Sequence, residues 1–442
     1  MRACFSLRLP MKFLGSVYMR KDGVGSRGSC CNHGLRLMIG EQTTGAYMKL
    51  LLMMALLGLG VSGLTGCQTT KQYSDNEQIL VKKPGMVAVD AAARRETLIK
   101  LNQLNDKCRN RSRIIPVLMD VSAPEGYGLD DSYNRISRSF RLGGAACLSG
   151  NDEACKLIQK GALEWATKSH LDKPRGTDGG LWNDTLTINM RLLNPLISAL
   201  GVAEAFVPMS LENRKIVDPW LAKIKSNFKH GMRSEGNYNG GDMGTFARKA
   251  AHNHAIQSSL VAMSYGSWIG DDNAFSLGLE QWNITLSSMR KDGSLPIETR
   301  RGARALFYQG RTIAALIQIA ERAKVQGIDL YNLPPSPEKS IHKAVEFLIE
   351  AIQNPQLVLK YAKTNHAPGP SKNYEIQDLG GTSTLSWIAP YIAQFPNHPN
   401  TVALLNLKNV ESYLAPLVAM SLIKNGNSSE WIGVDARCFY AN

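Results

Sequence analysis

Several features are scarce in this 442-residue chain, and each scarcity removes a class of protein. The apolar run at residues 50–64 falls short of the ~20 apolar residues a spanning helix needs, so it does not read as a membrane span. No CxxC pair or Cys/His cluster occurs, and no carboxylate cluster suits Ca²⁺, so no metal or other cofactor is implied. Strand-like alternation is confined to short pieces near 113–120 and 431–440, which argues against a sheet-based architecture. No fixed-period repeat is present, which argues against the ordinary solenoid families. Acidic residues are in deficit, with 37 Asp and Glu against 51 Lys and Arg, a formal charge of +14. Such a chain suits a polyanion, whether nucleic acid, an anionic membrane surface or an acidic polysaccharide. At 44% hydrophobic residues it is not a disordered composition and can build a sizeable core.

The N-terminal region narrows the compartment. Met48-Lys49 precedes the apolar run, which ends in Leu64-Thr65-Gly66-Cys67: a charged start, an apolar core and a small-residue cleavage site. The ending resembles a bacterial lipobox, which makes Cys67 the lipidated first residue of the mature chain; a plain cleaved signal would change the anchor but not the compartment. Gln68, in place of Asp, implies by the same resemblance the outer membrane of a Gram-negative bacterium, facing the periplasm. Signals sit at the extreme N-terminus, so residues 1–47 are expected to be a mis-assigned extension, with 48–66 the signal, 67–85 a polar tether and 86–442 the folded domain. Removing 1–66 takes away eight Lys/Arg and two Asp/Glu and leaves +8. Export counts against nucleic acid. Beyond Cys67, the cysteines Cys108, Cys147, Cys155 and Cys438 permit three connectivities in an oxidising compartment. The pairing expected is Cys108–Cys155, with Cys147 and Cys438 left over.

The mature chain reads as helix after helix, at 88–105, 131–145, 152–168, 185–207, 211–229, 244–269, 273–289, 301–326, 337–352, 354–363, 384–394 and 408–423. Amphipathic helices joined by short Gly, Pro, Asn and Asp loops suggest stacked antiparallel hairpins, and without a repeat the expected fold is an all-α, incomplete α/α toroid with one catalytic domain. Such a ring leaves its loops to shape a groove. Two loops carry an aromatic beside amides and a carboxylate: Trp182-Asn183-Asp184, and Tyr238-Asn239 ahead of Asp242. They suit stacking on a sugar and binding its hydroxyls, and they suit ordinary turn chemistry equally well.

The chemistry-bearing stretch is Lys291-Asp292-Gly293-Ser294-Leu295-Pro296-Ile297-Glu298-Thr299-Arg300-Arg301, followed by Ala305-Leu306-Phe307-Tyr308-Gln309. If a helix begins near Arg300, then Arg301, Arg304 and Tyr308 fall at i, i+3 and i+7 on one face. Adjacent positive charge favours phenolate, so the stretch could make a base. The same spacing also describes a solvated arginine face beside a core tyrosine. Upstream lies His252-Asn253-His254. Its histidines, two residues apart, point to different sides of a helix and do not suit a shared metal.

Together with Gln326-Gly327-Ile328-Asp329-Leu330-Tyr331, Asn354-Pro355 and Lys360-Tyr361-Ala362, these segments resemble the alginate lyase family of α/α-toroid polysaccharide lyases, most clearly over residues 240–365. The resemblance implies Tyr308 as catalytic tyrosine, Arg301 as active-site arginine, His254 as active-site histidine and Asn253 as its asparagine neighbour. It leaves Arg304, Trp182, Asn183, Tyr238, Asn239 and His252 as candidate substrate-binding residues. The implied reaction is β-elimination on a 1,4-linked uronan. Asn253, His254 and Arg301 would neutralise the developing aci-carboxylate while Tyr308 takes the C5 proton and then protonates the leaving oxygen. In β-D-mannuronate and β-D-glucuronate H5 and O4 lie on the same side, so one tyrosine suffices for syn elimination. Poly-β-D-mannuronate is the preferred expectation.

This sequence also departs from the family pattern. Ala255-Ile256-Gln257 stands where the family has Ser-Tyr-Trp, His252 replaces an Asn, and residues 115–125 lack the family's lid motif. Glucuronan or a mixed uronan therefore stays open as substrate, as does a non-catalytic lipoprotein that binds an acidic glycan. A toroid hydrolase would need two flanking carboxylates, for which Glu298 and Asp242 are the available acids.

Overall fold

A computed structural model describes residues 80–101, 131–170, 182–234, 253–363, 373–423, 428–429 and 431–440; for 131–134, 182–190, 226–234, 254, 423 and 428 it describes backbone alone. All belong to one compact unit, Lys71–Asn442. Cys67, Cys108, Tyr238, Asn239, Asp242 and His252, and the strand expected near 113–120, lie outside the described residues.

In chain order the helices are α1 (Ala91–Lys100), α2 (Asp131–Leu148), α3 (Asp152–Thr167), α4 (Trp182–Phe206), α5 (Leu211–Ser234), α6 (Asn253–Ile269), α7 (Asp272–Ser288), α8 (Pro296–Thr299), α9 (Ala305–Val325), α10 (Ile341–Gln353), α11 (Gln356–Ala362), α12 (Ile388–Gln394), α13 (Pro399–Asn406), α14 (Ala415–Ile423) and α15 (Ala436–Phe439). A two-stranded antiparallel ribbon, β1 (Ser428–Ser429) with β2 (Val434–Asp435), pairs Ser428 with Asp435 and Ser429 with Val434. Helical hairpins α2–α3, α4–α5, α6–α7 and α9–α10 follow one another. Their first members pack in sequence, α2 on α4, α4 on α6 and α6 on α9, while α3 packs against α4 and α5. That is the wall of an α/α toroid, with α6 and α9 buried along nearly all their described length.

Local chemistry accounts for the hairpins. Asn151 and Asp271 cap α3 and α7 by accepting from Ala154 N and Ala274 N, each at 3.0 Å. Gly266 lets α6 and α7 approach closely, since a Cβ there would stand 2.5 Å from Phe275 N and 2.7 Å from Asp271 O. Pro195 interrupts the hydrogen-bond ladder of α4, and the carbonyl it frees, Arg191 O, accepts instead from Ser137 Oγ of α2 at 3.2 Å. Arg322 of α9, fully buried, ties three inner helices together. Its Nε donates to Ser264 of α6 at 2.7 Å, Nη1 to the carbonyl and side chain of Gln318, and Nη2 to Asn194 and Ser198 of α4 at 2.7 and 3.0 Å.

Four sequence expectations need correction. Cys147 pairs with Cys155, stapling the end of α2 to the first turn of α3 with a Cα–Cα distance of 4.9 Å. Cys438 is disulfide-bonded as well, its partner lying outside the described residues, so neither it nor Cys147 is left over. Residues 80–85, expected within the tether, are instead fastened to the domain: Leu80 N and Val81 N donate to Asp272, Lys83 N to Gln326 and Gly85 N to the Ser267 carbonyl. At 431–440 only Val434–Asp435 is strand, and the short helix Ala436–Phe439 follows. Trp182 and Asn183 open α4 rather than forming a loop. Among the described residues no helix is long and apolar enough to cross a membrane.

Candidate active site

The segment between α7 and α9 is held rigidly. Arg290 donates to Ser294 Oγ and Thr299 Oγ1 at 3.1 and 2.8 Å and lies over the Tyr361 ring, 3.9 Å from its centroid. Asp292 accepts from Tyr361 Oη at 2.6 Å, from Ser294 and from Lys360. Burial opposes the charge of Asp292, but these bonds outweigh it and hold the carboxyl down at about 2. Gln309, on the first turns of α9, accepts from Leu295 N and donates to Gly293 O. The loop therefore cannot shift without disturbing α9, which carries Tyr308.

The expected continuous helix from 301 is broken: α8 ends at Thr299, a 3₁₀ turn covers Gly302–Arg304, and α9 begins at Ala305. Gly302 has φ +61°, a conformation that interrupts an α-helix, and this is the physical reason for the break. Arg301 still meets Tyr308, by folding over the kink: its guanidinium carbon stands 3.9 Å from the centre of the tyrosine ring. Arg304 goes elsewhere, 5.8 Å from the Phe307 ring. Tyr308 is 9% exposed and makes an edge contact with Phe307.

Asn253 is the first residue of α6, fully buried. Its backbone N–H donates to Glu298 Oε1 at 2.7 Å, and its Nδ2 donates to Oε1 and Oε2, both at 3.2 Å. A helix N-terminus leaves N–H groups without intrahelical partners and favours negative charge, so a carboxylate from α8 suits that position. Glu298 is itself fully buried. Burial raises its pKa, while Arg301, the Asn253 hydrogen bonds and Arg311 pull the other way. His254 occupies the second position of α6, and its side chain, like those of Trp182 and Asn183, lies outside what is described.

The structure gives roles to Glu298, Arg311, Trp431 and Gln257 that the sequence pattern does not mark. In the sequence Glu298 stands only as an available acid; its burial and its bonds to Asn253 leave it no room as a hydrolase carboxylate. Arg311 follows Tyr308 at i+3, a spacing that could have marked it, and its guanidinium lies 5.7 Å from the Tyr308 ring and 3.7 Å from that of Trp431. Trp431 sits in the β1–β2 turn, where Arg191 of α4 also approaches to 4.9 Å. Gln257, one turn along α6 from Asn253, has both amide atoms buried without a partner in the structure.

The fold and this cluster define a toroid with a tyrosine–arginine centre joined to the start of an inner helix. Residues 151–358 match the family model described as Alginate lyase. A polysaccharide lyase from Stenotrophomonas maltophilia (strain K279a) is 28% identical over 145 residues, covering 33% of this chain and 39% of that protein. An alginate lyase from Azotobacter vinelandii is 21% identical over 188 residues, 42% of this chain and 45% of the relative. The chain thus spans less than half the length of these curated relatives. Among solved structures, alginate lyase A1-III from Sphingomonas species A1 superposes with a TM-score of 0.58 at 19% identity, covering 82% of this chain and 97% of that one. An alginate lyase from Bacteroides ovatus gives 0.52 at 14% identity, covering 80% and 99%. Over residues 151–358 the chain is similar to the alginate lyase family, and it has the α/α-toroid fold of the solved alginate lyase.

Proposed function

We propose that this chain is a polysaccharide lyase that cleaves a 1,4-linked polyuronate, with poly-β-D-mannuronate preferred, by syn β-elimination. The observation that carries the reading is the Arg301 guanidinium against the Tyr308 ring at 3.9 Å, in a segment that also grips Asn253 through Glu298. In the proposed step the Tyr308 oxygen, as phenolate, takes the C5 proton. The released electron pair forms the C4–C5 double bond, the C4–O bond breaks, and the departing glycosidic oxygen recovers the proton from Tyr308. Arg301 supplies positive charge on the tyrosine side, while Asn253 and His254 would neutralise the charge that develops on the substrate carboxylate. Arg304, His252, Trp182, Asn183, Tyr238 and Asn239 are proposed to line the glycan path. The relatives' names support alginate as substrate, and so does the basic balance of the chain.

Glucuronan is the second reading, favoured by Gln257 standing in place of the family's Trp one turn from Asn253. Lipidation at Cys67 would hold the enzyme at the outer membrane, facing the periplasm. The test is incubation of the protein with polymannuronate, polyguluronate, glucuronan and hyaluronan while following the ultraviolet absorbance of unsaturated product. Absorbance should rise fastest on polymannuronate. New reducing ends without absorbance would indicate hydrolysis, and binding without either would indicate a glycan-binding lipoprotein.

A further inference from the structure

Glu298 does something the lyase reading has no place for. Its side chain accepts three hydrogen bonds from one residue, Asn253, and its backbone carbonyl accepts from Arg301 N at 3.1 Å. One residue of α8 therefore joins the two halves of the centre, the start of α6 and the turn that carries Arg301. We infer that Glu298 is a positioning residue, which fixes the plane of the Asn253 amide and ties it to the Arg301–Tyr308 pair. The inference rests on the proposed lyase chemistry for its catalytic consequence, but not for its geometry.

The physical argument concerns an amide that can turn. An asparagine side chain offers two N–H donors on one atom and an acceptor on the other, and a rotation about its last bond exchanges them. A glycan carboxylate only accepts, so it needs the donor end, and an amide turned the wrong way would present Oδ1 to it. Asn253 is fully buried, so water cannot set its orientation. The two oxygens of Glu298 do so: Oε1 takes both the backbone N–H and Nδ2, and Oε2 shares Nδ2. Nδ2 is thereby fixed on the Glu298 side of the amide, and Oδ1 is left without a partner in the structure. Burial, the largest influence, raises the pKa of Glu298, while Arg301, the Asn253 hydrogen bonds and Arg311 act against it. A neutral glutamine at 298 would keep the shape but place its own N–H₂ in rotation against the Asn253 donors, and the orientation would be lost.

The experiment is a double-mutant cycle on Glu298→Gln and Asn253→Ala, read in two ways. In urea denaturation the midpoint shifts of the single variants should fail to add in the double variant, since the residues are in direct contact. In turnover of polymannuronate, Glu298→Gln should lose on the order of 10²-fold in kcat, the cost of one misplaced donor, with KM within about threefold. The double variant should then be no slower than Asn253→Ala alone. Additive midpoint shifts overturn the contact. Additive rate losses, or a loss confined to KM, overturn the positioning role. If the unmodified chain forms no unsaturated product on any uronan, the lyase reading fails, and the urea cycle still decides whether Glu298 holds Asn253.

Discussion

Replacing Arg322 should be among the most damaging single changes in the domain, and the size of the effect follows from its surroundings. All five N–H donors of this fully buried guanidinium are matched: to Ser264, to the carbonyl and side chain of Gln318, and to Asn194 and Ser198. At the lower bound of about 1.5 kcal/mol for a hydrogen bond to a charged group, five such bonds contribute roughly 7 kcal/mol. Against that stands the cost of burying the charge, which brings the pKa of Arg322 down to about 10. That shift corresponds to about 3 kcal/mol, which removal of the cation would recover. Arg322→Met should therefore cost about 4 kcal/mol, a large share of the about 5–15 kcal/mol typical of a folded domain. Arg322→Lys keeps the charge but offers three donors instead of five, so it should fall between Met and the native residue. Urea denaturation followed by circular dichroism measures both. A loss below about 1 kcal/mol for Arg322→Met would refute the reasoning, because the acceptors on α4 and α6 would then not depend on the guanidinium.

Two further outcomes concern stability. His342 bonds Tyr391 Oη through Nδ1 at 2.8 Å and stacks on His398 at 4.3 Å; burial first, and the neighbouring His398 second, push its pKa down to about 4. As pH falls from about 6.5, the ordinary imidazole value, toward 4, the unfolded chain takes up a proton that the folded chain refuses. Stability present above that window should drain away through it, by at most about 1.4 kcal/mol per pH unit and by less in practice because His342 is partly exposed. His342→Gln should flatten the urea midpoint against pH between 6.5 and 4. Gly266→Ala places a methyl against the backbone of Phe275 and Asp271, so α6 and α7 must part, and the urea midpoint should drop by the equivalent of about 1–3 kcal/mol.

Helix content and the toroid were legible because apolar periodicity, Asn and Asp caps and short loops all point the same way. Boundaries fell within a few residues for α3, α4 and α7. The helix Pro399–Asn406 was missed because its N-cap is His398, whose Nδ1 accepts from Asn400 N, outside the usual Ser, Thr, Asp and Asn set. Disulfide connectivity is beyond spacing alone: the sequence leaves three pairings open, and the structure has the local bond Cys147–Cys155 in place of the longer-range one expected. At the site, the pairing of Arg301 with Tyr308 is readable in the sequence but its geometry is not, because nothing local marks Gly302, at φ +61°, as the point where the chain kinks. Glu298 stood in the motif all along. Its burial and its hold on Asn253 depend on two segments 45 residues apart meeting, which no local pattern records.

The central claim is that Tyr308 moves the proton, and Tyr308→Phe tests it most directly. Phenylalanine keeps the ring beneath Arg301 and the packing on Phe307 while removing the oxygen, so fold and glycan affinity should persist. The account predicts that this variant binds polymannuronate about as tightly as the unmodified chain and releases no unsaturated product above background. Formation of unsaturated product at more than about a hundredth of the unmodified rate, the low end of what one proton-transfer group contributes, would contradict it.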